Sequence, residues 1–429
     1  MVINTCLRTV ADSPIQLLHD VQFQPVVQTP PLPQCEMCVI VPVRNEAEML
    51  PGTLNALLHQ IDLQGRPLDH PSYEVILFAN NCQDDSVAIA RHFASQHPHF
   101  VLHVIAKQLP QSKSNIGWVR KQLMDEAYRR LMLLGYSRGV IASTDGDTQV
   151  APDWIAATLH EIANGADAVG GRIVTNRRDR MALVPYARAC HLREVGYRFL
   201  VAELEFYFDH DPFDPLPRHF QHYGASLAVT AEMYQQAGGM PVVKTSEDVA
   251  LYQALMRSNA RFRHSPLVRV TTSARQVGRA ESGLADQLSA WADMGHQQQA
   301  FFVEPAGAIL TRYQAHHELR QLWQRQLNGY LLTLKEVALP ANRLGVNANW
   351  LKCALLQHAS LNALFEAVEQ QQTQEGIWRQ RWALVRIEQA IADLRILLEP
   401  LRKQSKQQQY QWEYLKSKSY FCEPTSVVV

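Results

Sequence analysis

Short apolar runs alternate with helical patterns over the first two thirds of the chain. Residues 37–43 (MCVIVPV) form a continuous apolar run rich in β-branched side chains, which is typical of a strand buried on both faces. Further strands are predicted at residues 73–79, 100–105, 139–144 and 166–174. Between them, apolar residues recur at helical spacing over residues 48–61, 85–95, 116–134 and 152–163. This rhythm predicts an α/β fold whose mostly parallel central sheet is flanked by helices.

The pattern changes towards both ends of the chain. Prolines are frequent from Pro25 to Pro33, and because proline removes backbone donors, residues 1–34 are interpreted as an extended N-terminal extension. After about Ala300, long helical patterns dominate and strand patterns disappear. We therefore expect one α/β domain over residues 35–300 and an all-helical C-terminal extension over residues 301–429.

The middle of the chain is less regular. Residues 181–206 have the pattern of one helix, and residues 208–218 form a loop rich in proline and aspartate. A strand is predicted at residues 224–230 and a helix at residues 247–256.

Charge and composition exclude several classes of protein. The chain has 429 residues, with 41 Lys plus Arg against 41 Asp plus Glu, so its formal net charge is zero. A nucleic-acid-binding protein normally carries a basic excess, and we expect no nucleic-acid partner. No apolar stretch reaches the ~20 residues that span a bilayer. Residues 1–27 lack the pattern of a secretory signal, so a cytoplasmic protein is expected, with a peripheral membrane contact left open.

Seven cysteines are scattered along the chain, and an odd number in a chain of this length argues against a disulfide framework. Cys35 and Cys38 form a CxxC pair. A zinc site would need a second pair at similar spacing, so these two are interpreted as reduced cysteines at the start of a strand.

Asp145-Gly146-Asp147, directly after the fourth predicted strand, is the strongest chemical feature. Two carboxylates one residue apart on a tight turn can face one divalent cation. Mg²⁺ and Mn²⁺ prefer such oxygen ligands and share their coordination shell with phosphates. A cation on a diphosphate would neutralise charge that builds on a leaving group. The alternative is a turn in which the aspartates bind backbone amides.

Ser246-Glu247-Asp248 begins a predicted amphipathic helix. One interpretation is a capping segment, with Ser246 at the N-cap and acidic residues in the first turn. The other interpretation adds a general base, because a carboxylate within hydrogen-bond reach can take the proton of a hydroxyl as it attacks.

Polar residues also follow the first two predicted strands. Pro42-Val43-Arg44-Asn45-Glu46 ends the first strand, where it could hold a ribose or a base, and Asn80 and Asn81 open an Asx-rich turn after the second. Because ligands bind beyond the carboxyl ends of parallel strands, these segments are expected at one site. Arg120, on the third predicted helix, is a candidate for a phosphate contact.

Taken in order, these segments resemble glycosyltransferase family 2, whose enzymes have the GT-A fold. MCVIVPVRNE resembles the family's first strand and its Pro-x-x-Asn-Glu turn, and YEVILFANNCQDDS resembles its second strand and turn. GVIASTDGDTQVAPDW resembles its Asp-x-Asp strand. NIGWVRKQLMDEA, GASLAVTAEMYQQAGGMP and SEDVAL resemble its arginine helix, its acceptor-side segment and its Glu-Asp helix. The resemblance covers roughly residues 36–275.

The resemblance implies a role for each matching residue. A nucleotide-diphosphate sugar, the donor, would be bound by Pro42, Arg44, Asn45, Glu46, Asn80, Asn81, Arg120 and Asp145. Asp145 and Asp147 would bind the divalent cation. Asp248 would be the general base of an inverting displacement, with Glu247 beside it. Gly224, Ala225 and Ser226 would border the sugar or the acceptor.

The sequence also departs from the family. Asn80 and Asn81 stand where the family often has an aspartate that contacts the base, so the nucleotide stays open. The Gln-x-x-Arg-Trp motif of processive synthases is missing, and residues 275–279 match it only in part. Transfer of a single sugar to a discrete small-molecule or glycan acceptor is therefore favoured. Related retaining enzymes supply a metal-binding histidine where residues 270–273 (VTTS) stand here, so inversion is favoured.

Two alternatives to glycosyl transfer are compatible with parts of this pattern. A sugar nucleotidyltransferase would normally show a glycine-rich basic loop after the first strand, which Pro42–Glu46 is not. A catalytically inactive nucleotide-sugar-binding scaffold or sensor would share the fold, although it has no need of a base such as Asp248. The helices after residue 300 could cover the acceptor, join two chains in a homodimer or rest on a membrane, with residues 404–420 as a candidate interfacial helix.

Overall fold

The computed structural model contains a central eight-stranded sheet. It describes residues 25–276, 278 and 283–419, with side chains described up to Ser405. The strands are β1 Met37–Val43, β2 Tyr73–Asn80, β3 Leu102–Lys107, β4 Val140–Ser143, β5 Thr148–Val150, β6 Ala168–Thr175, β7 Leu227–Thr230 and β8 Phe262–Thr272. Their spatial order is β3-β2-β1-β4-β7-β6-β8-β5.

The sheet is mostly parallel, as the sequence predicts. β1 pairs in parallel with β2 and β4, β2 with β3, and β6 with β8. The antiparallel pairings are those of β7 with β4 and β6, and of β5 with β8. β1, β2 and β4 therefore end at the same edge of the sheet, and the polar segments that follow them are brought together there.

Helices cover both faces of the sheet. The first eight are α1 Leu50–Leu58, α2 Ser86–Gln96, α3 Ile116–Leu133, α4 Trp154–Ala163, α5 Arg177–Ala182, α6 Pro185–Phe208, α7 Ala231–Gln236 and α8 Glu247–Arg257. Val39 and Val41 of β1 face a core shared with α1, α2 and α4, and Cys38 and Ile40 face a core shared with α3, α7 and α8. Burial on both faces explains the continuous apolar runs.

The C-terminal region is helical and packs on α6. It comprises α9 Leu284–His296, α10 Ala306–Leu327, α11 Leu334–Leu344, α12 Ala348–Gln357, α13 Leu361–Glu375, α14 Ile377–Arg381 and α15 Ile387–Ser419. α10 to α13 enclose one apolar core, and a second core joins α6, α10 and α15. Most side chains of the candidate interfacial helix at residues 404–420 lie outside the described residues.

Two predictions for these regions are wrong in detail. The extension is not all helical, because β9 Phe302–Val303 pairs with β10 Val385–Arg386, and two-residue strands are too short to leave a periodic pattern. The predicted single helix over residues 181–206 is two helices. Pro185 begins the second helix and biases Val184 to the extended backbone found there, with ψ 142°.

Residues 25–34 lie along α3. The backbone N–H groups of Val26 and Val27 donate to the carboxylate of Glu126, at 3.1 and 3.3 Å. The rest of the predicted N-terminal extension lies outside the described residues. The domain boundaries at residues 35 and 300 stay predictions.

Candidate active site

The loops that follow β1 and β2 are hydrogen-bonded to each other. Asn45 has a left-handed backbone with φ 56°, and its Oδ1 accepts from the N–H of Gln83 at 2.7 Å. The N–H of Glu46 donates to Ser86 Oγ at 2.8 Å, and that of Ala47 donates to Asp84 Oδ2 at 2.9 Å. These bonds fix the first predicted nucleotide-binding segment against the second.

Arg120 of α3 joins three further segments of the predicted site. Its side chain is buried, its Nη2 donates to Asp145 Oδ1 at 2.9 Å and its Nε donates to Glu247 Oε1 at 2.8 Å. Its Nη1 donates to the carbonyl of Gly224 at 3.2 Å and also to Ser143 Oγ. Burial alone would lower the pKa of Arg120, but the carboxylates beside it raise that pKa. A phosphate contact for this residue stays a prediction.

Asp248 lies beside this network at the start of α8. Its Oδ2 accepts from the N–H of Gly224 at 2.8 Å, and its Oδ1 accepts from the N–H of Val249 at 2.8 Å. Gly224 therefore bonds both Arg120 and Asp248. The predicted cap by the Ser246 side chain is wrong, because Ser246 has a left-handed backbone with φ 55° and its side chain makes no capping bond.

Asp147 is a half-buried carboxylate at the end of the Asp145-Gly146-Asp147 turn. Its Oδ2 accepts from Ser273 Oγ at 3.0 Å, after the end of β8. Burial raises the pKa of Asp147 to about 6, and the nearby charge of Asp145 adds to the effect. A Cβ at Gly146 would lie 3.3 Å from the carbonyl of Pro42, so glycine lets the turn approach β1 closely.

Arg275 is a residue of this site that sequence reasoning missed. Its Nη1 donates to Glu46 Oε2 at 2.6 Å and its Nη2 donates to Glu46 Oε1 at 2.5 Å, while Nη2 also lies 3.2 Å from Asp147 Oδ2. The available signals were its position after the last sheet strand and the partial motif at residues 275–279. Arg279, the other end of the partial motif, lies outside the described residues.

The remaining predicted nucleotide-binding residues lie at the same edge of the sheet. The side-chain amide of Asn81 donates to the carbonyl of Leu109 and accepts from its N–H group, at 3.0 Å each. Asn80 is buried, and its Oδ1 has no hydrogen-bond partner among the described side chains. Arg44 is exposed, and its Nη1 donates to the carbonyl of Ser114 at 3.3 Å. Contact of these residues with a nucleotide stays a prediction.

The predicted acceptor segment meets the site through its backbone. Ala225 and Ser226 are buried, and Ser226 Oγ accepts from Trp154 Nε1 at 3.0 Å. Only the Gly224 peptide groups bond to Arg120 and Asp248. Contact of Gly224–Ser226 with a sugar or acceptor stays a prediction.

The carboxylates at the turn suit a hard divalent cation. Asp145 and Asp147 offer oxygen ligands, and such an ion would complete its shell with water and diphosphate oxygens. Glu46 adds a third negative charge nearby, and Arg275 is the cation that faces Glu46 and Asp147 in the structure.

A second group of close ligand atoms lies at the opposite end of β1. Cys35, Cys38 and Glu74 have ligand atoms within 4.8 Å of one another. Arg130 binds both oxygens of Glu74 at 2.6 Å. Although burial alone would raise it, the pKa of Glu74 is lowered to about 2 by hydrogen bonds from Arg130, His103 and Cys38. This arrangement is a neutralised ion pair, consistent with reduced structural cysteines.

The strand order, with the Asp145-Gly146-Asp147 turn at the carboxyl edge of the parallel strands, defines an α/β fold of the GT-A type. Residues 38–224 match the family described as glycosyl transferase family 2. Over this segment, which is somewhat under half of the chain, the match confirms the resemblance to glycosyltransferase family 2 that the motifs carry.

Two curated proteins are similar to part of the chain. The dolichyl-phosphate beta-glucosyltransferase of Drosophila melanogaster is 28% identical over 128 residues, which are 28% of this chain and 38% of that protein. Glycosyltransferase AglE of Haloferax volcanii is 28% identical over 136 residues, which are 32% of this chain and 38% of that protein. The matched part thus spans well under half of either relative.

Two glycosyltransferases are among the solved structures to which the chain shows some similarity. The mannosyltransferase PcManGT of Pyrobaculum calidifontis, solved with GDP-Man and Mn²⁺, has a TM-score of 0.39 at 16% identity, covering 89% of this chain and 90% of that one. Residues 1–349 of S. aureus TarS, solved with UDP-GlcNAc, have a TM-score of 0.40 at 14% identity, covering 79% of this chain and 92% of that one.

Within the described part of the chain, no helix combines the length and the apolar character needed to cross a membrane.

Proposed function

We propose that this chain transfers a single sugar from a nucleotide-diphosphate donor to a discrete acceptor, with a divalent cation and with inversion at the sugar. One observation carries the proposal: Arg120 and Gly224 link the Asp145 turn to Asp248 through three hydrogen bonds, at 2.9, 3.2 and 2.8 Å. A family 2 domain in which carboxylates of separate segments are brought together is suited to glycosyl transfer.

Asp145 and Asp147 would hold the cation, Mg²⁺ or Mn²⁺. When bound, the ion would supply positive charge to the diphosphate that leaves the sugar. The half-buried position of Asp147 supports this role, because a carboxylate with a raised pKa gains stabilisation from an adjacent cation. Asn45, Glu46, Asn80 and the other residues of the two loops would hold the nucleotide.

Asp248 would be the general base. Gly224 holds one of its oxygens in a fixed direction, and the carboxylate would take the proton of the acceptor hydroxyl as that oxygen attacks the sugar. Glu247 is bound by Arg120, which favours a positioning role for Glu247 beside the base. The reacting groups would then lie on opposite faces of the sugar, as inversion requires.

The first test measures nucleotide release from a panel of sugar donors, with cell extract as acceptor and with Mn²⁺ or EDTA. We expect release with at least one donor, its loss with EDTA, and a decrease of ~10²–10⁴ in turnover for Asp248→Asn. Asp153→Asn is the matched control, since Asp153 pairs with Arg269 outside the site.

Two results would count against the proposal. If no donor is turned over although one binds, the scaffold alternative is favoured. If Asp248→Asn turns over donor at the wild-type rate, the base lies elsewhere. A sugar nucleotidyltransferase would be recognised by formation of a nucleotide sugar from a nucleoside triphosphate and a sugar phosphate.

A further inference from the structure

A groove of about 810 Å³ runs between α6 and α15, apart from the carboxylate site. Its apolar lining includes Leu192, Phe199, Leu200 and Ile391, and Leu216 contributes from the loop before β7. Leu192 is 51% exposed. The volume is in the range of pockets that bind one small molecule, roughly 300–1,000 Å³. A groove of this size suits one apolar chain better than a protein surface, which needs a broad, flat contact.

A glycine keeps the floor of the groove open. Gly196 lies in the middle of the 24-residue helix α6 and lines the groove. Glycine inside a helix lowers its stability relative to alanine. A Cβ at Gly196 would have no atom within 4 Å, so packing within the chain gives no reason for glycine at this position. A molecule bound in the groove above the helix would use this space, which explains the glycine.

One of the arginines that line the groove has no carboxylate partner among the residues whose side chains are described. Four arginines and one glutamate line it. Arg193 pairs with Glu388 at 2.8 Å, and Arg402 binds Glu203 through two contacts of 2.6 Å. Arg218 pairs with Glu205 and Asp214, at 3.1 and 3.0 Å. Arg395 has no hydrogen-bond or ion-pair partner among the residues whose side chains are described. An unpaired guanidinium above an apolar floor is complementary to a chain that ends in an anion.

One aromatic residue of the groove contacts the chain segment that leads to the carboxylate site. The ring of Phe199 packs edge-on against Phe220, with centroids 5.4 Å apart. Phe220 precedes Gly224 by four residues, and Gly224 bonds Asp248. The same stretch of chain therefore lines the groove with Leu216 and holds the proposed base.

We propose that this groove is a binding site for a single-chain lipid phosphate, with the apolar chain along α6 over Gly196 and the phosphate bound by Arg395. The proposal rests on the groove alone. It is tested without a sugar donor, so its failure and the failure of the proposed transferase activity are separate results.

Isothermal titration calorimetry of the full chain with dodecyl phosphate, below its micelle concentration, tests the site. We expect saturable binding at one site per chain. Gly196→Leu should abolish binding by filling the floor, and Gly196→Ala, which adds only one methyl group, should weaken binding much less. Arg395→Glu should weaken binding by about tenfold or more, the usual loss for a charge-assisted contact. Ile396→Glu is the control, since Ile396 is exposed and does not line the groove.

Three results would overturn the proposal. One is the absence of saturable binding to the wild-type chain. Another is equal affinity for dodecyl maltoside, which carries the same chain without the charge. The last is wild-type affinity in Gly196→Leu, whose folding is checked by thermal unfolding.

Discussion

A guanidinium enclosed by protein loses its hydration, which costs free energy. Only well-placed carboxylates offset this desolvation cost. Arg120 is 3% exposed and has Asp145 and Glu247 as charged partners. Its position explains how residues that are 25 and 127 positions away in the chain come to one site. At the scale of single residues, the geometry of the candidate site depends on this side chain.

Replacing Arg120 by methionine should therefore be costly. It leaves Glu247 buried without its cation, and breaking one partner of a buried pair costs about 3–5 kcal/mol of unfolding free energy. Urea unfolding measures the change. Arg66→Met is the control, because Arg66 pairs with Asp62 on the surface, where an ion pair contributes about 0–1 kcal/mol. Equal losses in the two variants would mean that Arg120 does not hold the site together.

At the scale of elements, two helical glycines differ in their surroundings. A Cβ at Gly117, in the first turn of α3, would lie 1.8 Å from the carbonyl oxygen of Val243. The segment at residues 243–246 leads directly into α8, which carries Asp248. Glycine at position 117 thus permits the approach of α3 to the start of the proposed catalytic helix.

Gly117→Ala should displace that segment and move Asp248. We expect a loss of about 1–3 kcal/mol of stability, as in other overpacked sites, and a larger relative loss of transferase turnover. Gly196→Ala is the matched control, since its Cβ meets no atom and alanine should stabilise the helix by up to about 1 kcal/mol. Urea unfolding and donor turnover of both variants give the comparison. Identical behaviour of the two would refute the close approach.

Elements with a strong pattern are predictable from the sequence, and short elements are not. β1, β2 and α3 have nearly the bounds that their apolar patterns predict, because each is long enough for periodicity to appear. β5 has three residues and β9 has two, and neither was predicted. Pro185 begins a separate helix, whereas the apolar positions alone predict one continuous helix.

At the scale of the whole molecule, a buried titratable group of the helical extension lies close to one that follows α6. His316 of α10 stacks on Phe365 with ring centroids 3.8 Å apart, and its Nδ1 lies 3.8 Å from Asp209, after α6. Burial lowers the pKa of His316 from its ordinary 6.5 to about 4. The unfolded chain therefore binds more protons than the folded chain between pH 6.5 and 4, and stability falls as the pH falls through this range.

His316→Gln should flatten that dependence. The wild-type chain should lose roughly 1–3 kcal/mol more unfolding free energy than the variant between pH 6.5 and 4.5. Urea unfolding at several pH values measures this difference. His317→Gln, at an exposed neighbouring position, should keep the wild-type slope. The burial argument fails if both variants retain the full slope.

Contacts between distant parts of the chain mark the limit of sequence reasoning. The segments of the candidate site follow from the rule that parallel strands end at one edge. The pairing of Arg275 with Glu46 joins residues 229 positions apart and depends on the place of β8 in the sheet, which no local pattern encodes. The partners of Arg120 were also not predictable. An arginine on this helix suggests a phosphate contact, but in the structure Arg120 pairs with the carboxylates of Asp145 and Glu247.

The central claim is that Asp145 and Asp147 bind a divalent cation together with a nucleotide diphosphate. Calorimetric titration of UDP, GDP and other nucleoside diphosphates into the chain, with Mn²⁺ or EDTA, tests it most directly. We predict that at least one nucleotide binds with Mn²⁺, that EDTA removes this binding, and that Asp147→Asn loses it while the Asp153→Asn control retains it. The same affinity with Mn²⁺ and EDTA, or in Asp147→Asn and the wild-type chain, would contradict the claim.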